Sequence, residues 1–182
     1  MHQALTDVVA RLNRTRNDLH AVVEAIPGPL RERRPGPDRW SVAEIVEHLA
    51  LVETQYTSIV REALDKVRTL GLPANGSARQ PLPDTLESLM ANRAARRPAP
   101  EPFKPTGLPF ESAWAKASEV RGSLLGLLAS ADDVAFHEAL YDHPRFGVLN
   151  AYQWVEFVAA HERRHIDQLR ENAADLHDTS ER

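Results

Sequence analysis

Two histidines four residues apart, His161 and His165 in the run His161-Glu162-Arg163-Arg164-His165, are the residues of this chain best placed to do chemistry. That spacing stacks two imidazoles on one face of a helix, where both can grip a single metal ion. His48 lies on a separate apolar helical stripe. A third nitrogen ligand from a neighbouring helix would leave one coordination position open for water or substrate, which is the arrangement of a working site rather than a structural one. Three imidazoles brought together in a core without partners would each cost about 1–3 kcal/mol, and one shared ion removes that cost. All-nitrogen ligation suits a divalent transition metal, with zinc the first expectation and nickel the second. Such an ion acts as a Lewis acid: it brings water to a pKa near ~7 and would hold a thiol as thiolate.

The same run fits the zinc-protease pattern H-E-x-x-H, in which the glutamate is the general base. The next histidine of that pattern would fall six residues after His165, where Glu171 stands, so the protease reading is set aside. Glu162 stays as a minor acid–base candidate, because its position on a helix points ~100° away from His161. Gln168, three residues after His165, and Glu44, four before His48, are candidates to orient an imidazole through its other ring nitrogen. Glu44 fits a capping role better. Among the other histidines, His20 lies off its helix's apolar stripe, His137 and His143 fall in an irregular stretch, and His2 and His177 sit near the chain ends. His143 precedes a proline and reads as a turn residue.

Four amphipathic stretches must position these groups, over about 3–26, 41–68, 111–130 and 150–176. The first is interrupted only around Thr15 and Arg16, and Pro27-Gly28-Pro29 ends it. The second opens on a capping box, Ser41-Val42-Ala43-Glu44, with Trp40 and Ile45 as a hydrophobic staple. The fourth opens on Asn150 with Gln153 as its box partner, and its stripe runs through Trp154, Phe157, Val158, His161, His165, Gln168 and Leu169. Between 71 and 109 the pattern weakens. Asp84 can cap a short extra helix over about 85–97, and Pro98, Pro100, Pro102, Pro105 and Pro109 then read as an extended spacer, with a lid over the site as the lesser reading. No alternating run is long enough to predict a strand. The expected fold class is all-α, a single-domain four-helix bundle whose long connection between the second and third main helices would let those two run parallel.

At 182 residues the chain is one domain, long enough to bury a core without staples. A net charge of −4 speaks against a nucleic-acid partner. The absence of cysteine excludes disulfides, a thiolate nucleophile and cysteine-ligated clusters. No apolar run approaches ~18 residues, and no leader-like segment opens the chain, so a cytoplasmic protein without membrane association is expected.

Three separated motifs, Trp40-Ser41-Val42-Ala43-Glu44-Ile45-Val46-Glu47-His48-Leu49, His143-Pro144-Arg145-Phe146-Gly147 and His161-Glu162-Arg163-Arg164-His165-Ile166-Asp167-Gln168-Leu169, occur in the order in which the DinB-like superfamily carries them. The chain resembles that superfamily from its first helix to about Leu176. The resemblance implies an up-down-down-up bundle with a metal held by His48, His161 and His165. It also implies a small-molecule substrate and either of two activities: metal-dependent hydrolysis, or S-transfer with a low-molecular-weight thiol as second cofactor. The alternatives are a metal- or ligand-binding module without turnover and a structural dimerising protein. A homodimer is compatible with a bundle of this size.

Overall fold

The computed structural model describes residues 3–72, 81–93, 98–131 and 134–178. Four long helices form the body: α1 (Gln3–Glu24), α2 (Val42–Thr69), α4 (Phe110–Ala129) and α5 (Ala151–Asp178), with a short α3 (Asp84–Ala91) inside the long connection. Their directions follow from which ends share a core. One apolar cluster joins Leu5, Val8 and Leu12 of α1 with the C-terminal part of α2 (Val60, Leu64, Val67), the C-terminal part of α4 (Leu124, Leu128) and the N-terminal part of α5 (Trp154, Val155). A second joins Leu19 and Val23 of α1 with the N-terminal parts of α2 (Ile45, Val46) and α4 (Phe110, Ala113) and with Ile166 and Leu169 of α5. The bundle is therefore up-down-down-up, with α2 and α4 parallel.

That parallelism dictates the long connection. A 28-residue helix is ~42 Å long, and a chain leaving the end of α2 must travel back most of that length before α4 can start beside it. Its described parts lie on the outside of the bundle, where α3 packs on α5 and the 3₁₀ turn Glu101–Phe103 packs on α2. Those described parts thus lie along the α2–α5 seam.

Between the two apolar clusters lies a buried polar layer. Arg121 of α4 donates to Glu53 of α2 from Nε at 2.6 Å and to Glu162 of α5 from Nη2 at 3.1 Å. Arg16 of α1 donates to the same two carboxylates at 2.8 and 3.0 Å, and Thr15 Oγ1 donates to Glu162 at 2.5 Å. The interruption of the first stripe at Thr15 and Arg16 is this layer. On α4 the side chain turned into the core is Arg121, while Val120, expected on the apolar face, is half-buried.

Local signals set the helix starts. Ser41 Oγ accepts the Glu44 N–H at 3.2 Å and Glu44 accepts the Ser41 N–H at 2.8 Å, closing the capping box of α2. Asn150 and Gln153 exchange the same reciprocal pair at 3.0 Å each before α5. Replacing Ser41 by alanine is expected to cost about 1 kcal/mol in urea denaturation. Burial raises the Glu44 carboxyl, but hydrogen bonds from Arg34 and Ser41 and the Arg34 charge hold it below its ordinary value. Its contribution is then fully present above the ordinary carboxylate pKa and is lost as pH falls through the lowered one. In a pH series of thermal melts, the advantage of wild type over Glu44→Gln is expected to shrink as pH drops below about 4.5.

Two expectations need correction. Leu140–His143 (β1) and Gly147–Asn150 (β2) form an antiparallel hairpin where no strand was expected. Four residues per strand are too few for a period of two to register, and the turn is closed by Gly147 at φ +74° and by the His143 ring instead. The extra helix ends at Ala91 rather than near 97, and Asp84 is its first residue, not its cap, since Pro83 precedes it without a side-chain bond. Asn92 is extended, and residues 94–97 lie outside the described residues. No helix of the described residues is long and apolar enough to cross a membrane.

Candidate metal centre

The seam between α2 and α5 brings three imidazoles together. His48 comes from the second turn of α2, and His161 and His165 from successive turns of α5, one turn apart on a single face. One nitrogen from each lies within 4.8 Å of the other two. His161 Nε2 and His165 Nε2 are 3.2 Å apart, close to the ~3.3 Å that tetrahedral geometry with Zn–N bonds of 2.0–2.1 Å would set between two ligands. His48 and His165 are buried, and His161 is half-buried.

Hydrogen bonds at the far side of two rings decide which nitrogen faces inward. His48 Nδ1 lies 2.7 Å from the Phe103 carbonyl oxygen, and His165 Nδ1 lies 2.8 Å from Gln168 Oε1. Both partners are acceptors, so both Nδ1 atoms carry the proton and both Nε2 atoms present lone pairs to the centre. One proton can bridge His161 and His165 but does not engage His48. A single cation satisfies all three.

The electrostatics agree. Burial lowers the His165 pKa well below its ordinary value, and the neighbouring His161 and His48 lower it further against the Gln168 bond. Burial does the same at His161, helped by His48 and Arg164. Burial also lowers His48, partly offset by the Phe103 carbonyl. The rings are neutral at neutral pH, as ligands must be.

The return connection supplies more of the surroundings than a spacer would. Besides Phe103, Arg93 donates to Gln168 Oε1 at 3.3 Å and pairs with Glu171 through both Nε and Nη2. Arg164 donates to the carbonyls of Met90 and Asn92. Glu47, next to His48 on α2, is 2 % exposed and receives four hydrogen bonds from Thr106, Gly107 and Leu108. Trp40 packs its ring 4.9 Å from His48. A cavity of about 10 Å³ beside His161, lined by Glu53, Tyr56 and Glu162 among others, has room for about one water. A wider, shallow depression along the outer face of α2, lined by Ser58, Arg61, Asp65 and Thr69 among others, gathers no imidazoles.

The other sequence candidates fall elsewhere. Glu162 is held in the polar layer by Thr15, Arg16 and Arg121, and reaches the centre only as part of the lining of the small cavity beside His161. Glu44 is engaged by Ser41 and Arg34, not by His48. His143 accepts the N–H groups of Arg145 and Phe146 through Nδ1 and closes the hairpin. His20 is exposed beside Trp114, and His137 lies 3.3 Å from Glu138. His2 and the His177 side chain lie outside the described residues. Of the two positions proposed to orient a ring, Gln168 does so. The residues that sequence reasoning missed are Glu47 and Phe103. Each acts through backbone groups of the connection more than fifty positions from its partner, the Phe103 carbonyl on His48 and the Thr106–Leu108 N–H groups on Glu47, which no local pattern announces.

Fold and cluster together define a helical bundle with three converging imidazoles across its α2–α5 seam. A family model described as the DinB superfamily matches residues 11–169, and the chain belongs to that superfamily. It is 26% identical over 141 residues to an uncharacterized protein of Bacillus subtilis (strain 168), YuaE, covering 76% of this chain and 80% of the relative. Its fold is similar to the crystal structure of TT2238, a four-helix bundle protein, with a TM-score of 0.58 at 20% identity, covering 92% of this chain and 98% of that one.

Proposed function

We propose that this protein is a metal-dependent enzyme acting on a small molecule, with a divalent transition metal held by His48, His161 and His165. The observation that carries the reading is the pair of fixed tautomers: carbonyl acceptors at Nδ1 of His48 and His165 leave two Nε2 lone pairs pointing at the same place as His161. Zinc is the first choice of metal and nickel the second, on the all-nitrogen donor set. Three neutral ligands leave the ion its full double charge, and the chemistry it supplies is Lewis acidity sufficient to ready a water or a low-molecular-weight thiol for attack at neutral pH. Gln168 holds the His165 ring in place, and the Phe103 carbonyl does so for His48. Trp40 covers the His48 ring on one side. With no cysteine in the chain, any thiol nucleophile must arrive as a co-substrate. Hydrolysis and thiol S-transfer use the same three ligands. The net charge of −4 favours a small-molecule substrate over a nucleic acid.

The test is elemental mass spectrometry of the purified protein beside His161→Ala, followed by assays against activated esters and amides and against electrophiles with added thiol. The expected result is near-stoichiometric transition metal, lost in the variant, with metal-dependent turnover in one assay class. Metal without turnover in either class would leave a binding module. No metal in wild type, even after incubation with zinc or nickel, would overturn the reading.

A further inference from the structure

The connection between α2 and α4 hydrogen-bonds two adjacent residues of α2, Glu47 and His48. Glu47 Oε1 accepts from Thr106 N at 2.9 Å and Thr106 Oγ1 at 2.6 Å, and Oε2 accepts from Gly107 N and Leu108 N at 3.0 Å each. Three successive backbone N–H groups can converge on one carboxylate because Gly107 adopts φ +91°, a left-handed conformation that glycine enters without strain. Three residues upstream of Thr106, the Phe103 carbonyl accepts from His48 Nδ1. The segment that carries the two contacts is short and stiff: Pro102 just before it and Pro105 within it each fix a backbone torsion, and the Phe103 and Lys104 N–H groups are tied back to Pro100 and Glu101. A carboxylate with four donors, almost entirely buried, anchors an otherwise exposed loop, and that loop ends on a metal-ligand ring.

We propose that Glu47 is a positioning residue for the metal centre: by anchoring Thr106–Leu108 it seats the Phe103 carbonyl on His48, so that docking of the 98–109 segment and metal binding strengthen each other. The inference rests on the three-histidine reading above and adds to it a residue that touches neither metal nor substrate. Acceptors of this kind fix the ring orientation and raise ligand basicity, and losing one typically weakens metal binding by about 10–100-fold. Coupling between two equilibria is reciprocal. The factor by which undocking weakens metal affinity is therefore the factor by which bound metal suppresses undocking.

Zinc affinity is measured by competition with a chromophoric chelator for wild type, Glu47→Gln, Glu47→Ala and Ser41→Ala. Backbone amide exchange at Thr106, Gly107 and Leu108 is followed in wild type with and without zinc. Glu47→Ala is expected to bind zinc about 10–100-fold more weakly at unchanged stoichiometry. Glu47→Gln, which keeps the shape and loses acceptor capacity, falls between it and wild type and carries the test should the alanine variant not fold. Ser41→Ala loosens the same helix without touching the loop and is expected to keep wild-type affinity. In wild type, zinc is expected to slow exchange at the three amides by a similar ~10–100-fold. Nitrogen-15 spectra of the metal-free proteins are expected to show His48 protonated at Nδ1 in wild type and distributed over both tautomers in the Glu47 variants. If wild type binds zinc and both Glu47 variants bind it equally well with an unchanged His48 tautomer, the positioning role is wrong and the metal site stands. If wild type binds no metal at all, the metal reading itself fails and this inference falls with it.

Discussion

Replacing Arg121 by alanine is expected to destabilise the protein by about 3–5 kcal/mol, because it strands two buried carboxylates rather than because it removes two attractions. Arg121 is 4 % exposed, and Glu53 and Glu162 are as deeply buried. Burial favours a neutral guanidine, yet the two carboxylates outweigh it and hold Arg121 charged. Arg121 also donates to the Leu12 carbonyl at 2.8 Å, so the variant loses a tie between α4 and α1 as well, although that carbonyl keeps its bond from Thr15 Oγ1. Arg16 alone then faces both carboxylates. For a domain of this size the loss corresponds to a fall of roughly 6–20 °C in Tm. Replacing Arg16, Glu53, Arg121 and Glu162 together by apolar residues of similar volume is expected to cost far less than Arg121→Ala alone. Thermal and urea denaturation of the two proteins checks this, and an Arg121→Ala variant within ~1 kcal/mol of wild type would contradict it.

Zinc is expected to raise the Tm of the metal-stripped protein by roughly 5–11 °C at a free concentration a hundred times Kd, since a ligand bound only by the folded state adds about 2.7 kcal/mol there. The sign follows from the cluster: the unfolded chain keeps His161 and His165 close but separates His48 from them by more than a hundred residues. His161→Ala is expected to abolish the shift while leaving the metal-free Tm near that of wild type, because its half-buried ring is replaced without stranding a charge. Differential scanning fluorimetry across a zinc series checks both. A shift of the same size in His161→Ala would place the zinc elsewhere on the protein.

The helices and their starts were legible because their signals are local. Ser41 with Glu44, and Asn150 with Gln153, act across three residues, and His161 with His165 across four. The parallel course of α2 and α4 could be inferred from the length of the connection between them, because a short one could only have joined antiparallel neighbours. The polar layer was less visible, although its signature was present. Glu53 and Arg121 sit four residues after Leu49 and Ala117, at core-facing positions where a charge is anomalous. Glu162 was read for its place in a motif, and its neighbours across the bundle decided otherwise. The proline-rich stretch was read chiefly as a spacer because its contacts run through backbone atoms, and a carbonyl such as that of Phe103 has no letter in the sequence. The hairpin escaped for a related reason: its closing bonds involve the His143 ring and backbone N–H groups, in strands too short to alternate.

The ionic layer has a geometric consequence for the imidazoles above it. Glu53 follows His48 by five residues and Glu162 follows His161 by one, so both helices that carry ligands also carry a carboxylate gripped by the same two guanidinium groups. Apolar faces tolerate sliding, since one leucine serves nearly as well as the next. Oppositely charged groups buried within 2.6–3.1 Å of each other do not. A slip of α2 past α5 by one helical turn, ~5.4 Å, would break these pairs and would also carry His48 out of reach of its two partners. The layer thus works as a vernier: it sets the height of one helix against the other, and in doing so sets how closely the three imidazoles converge.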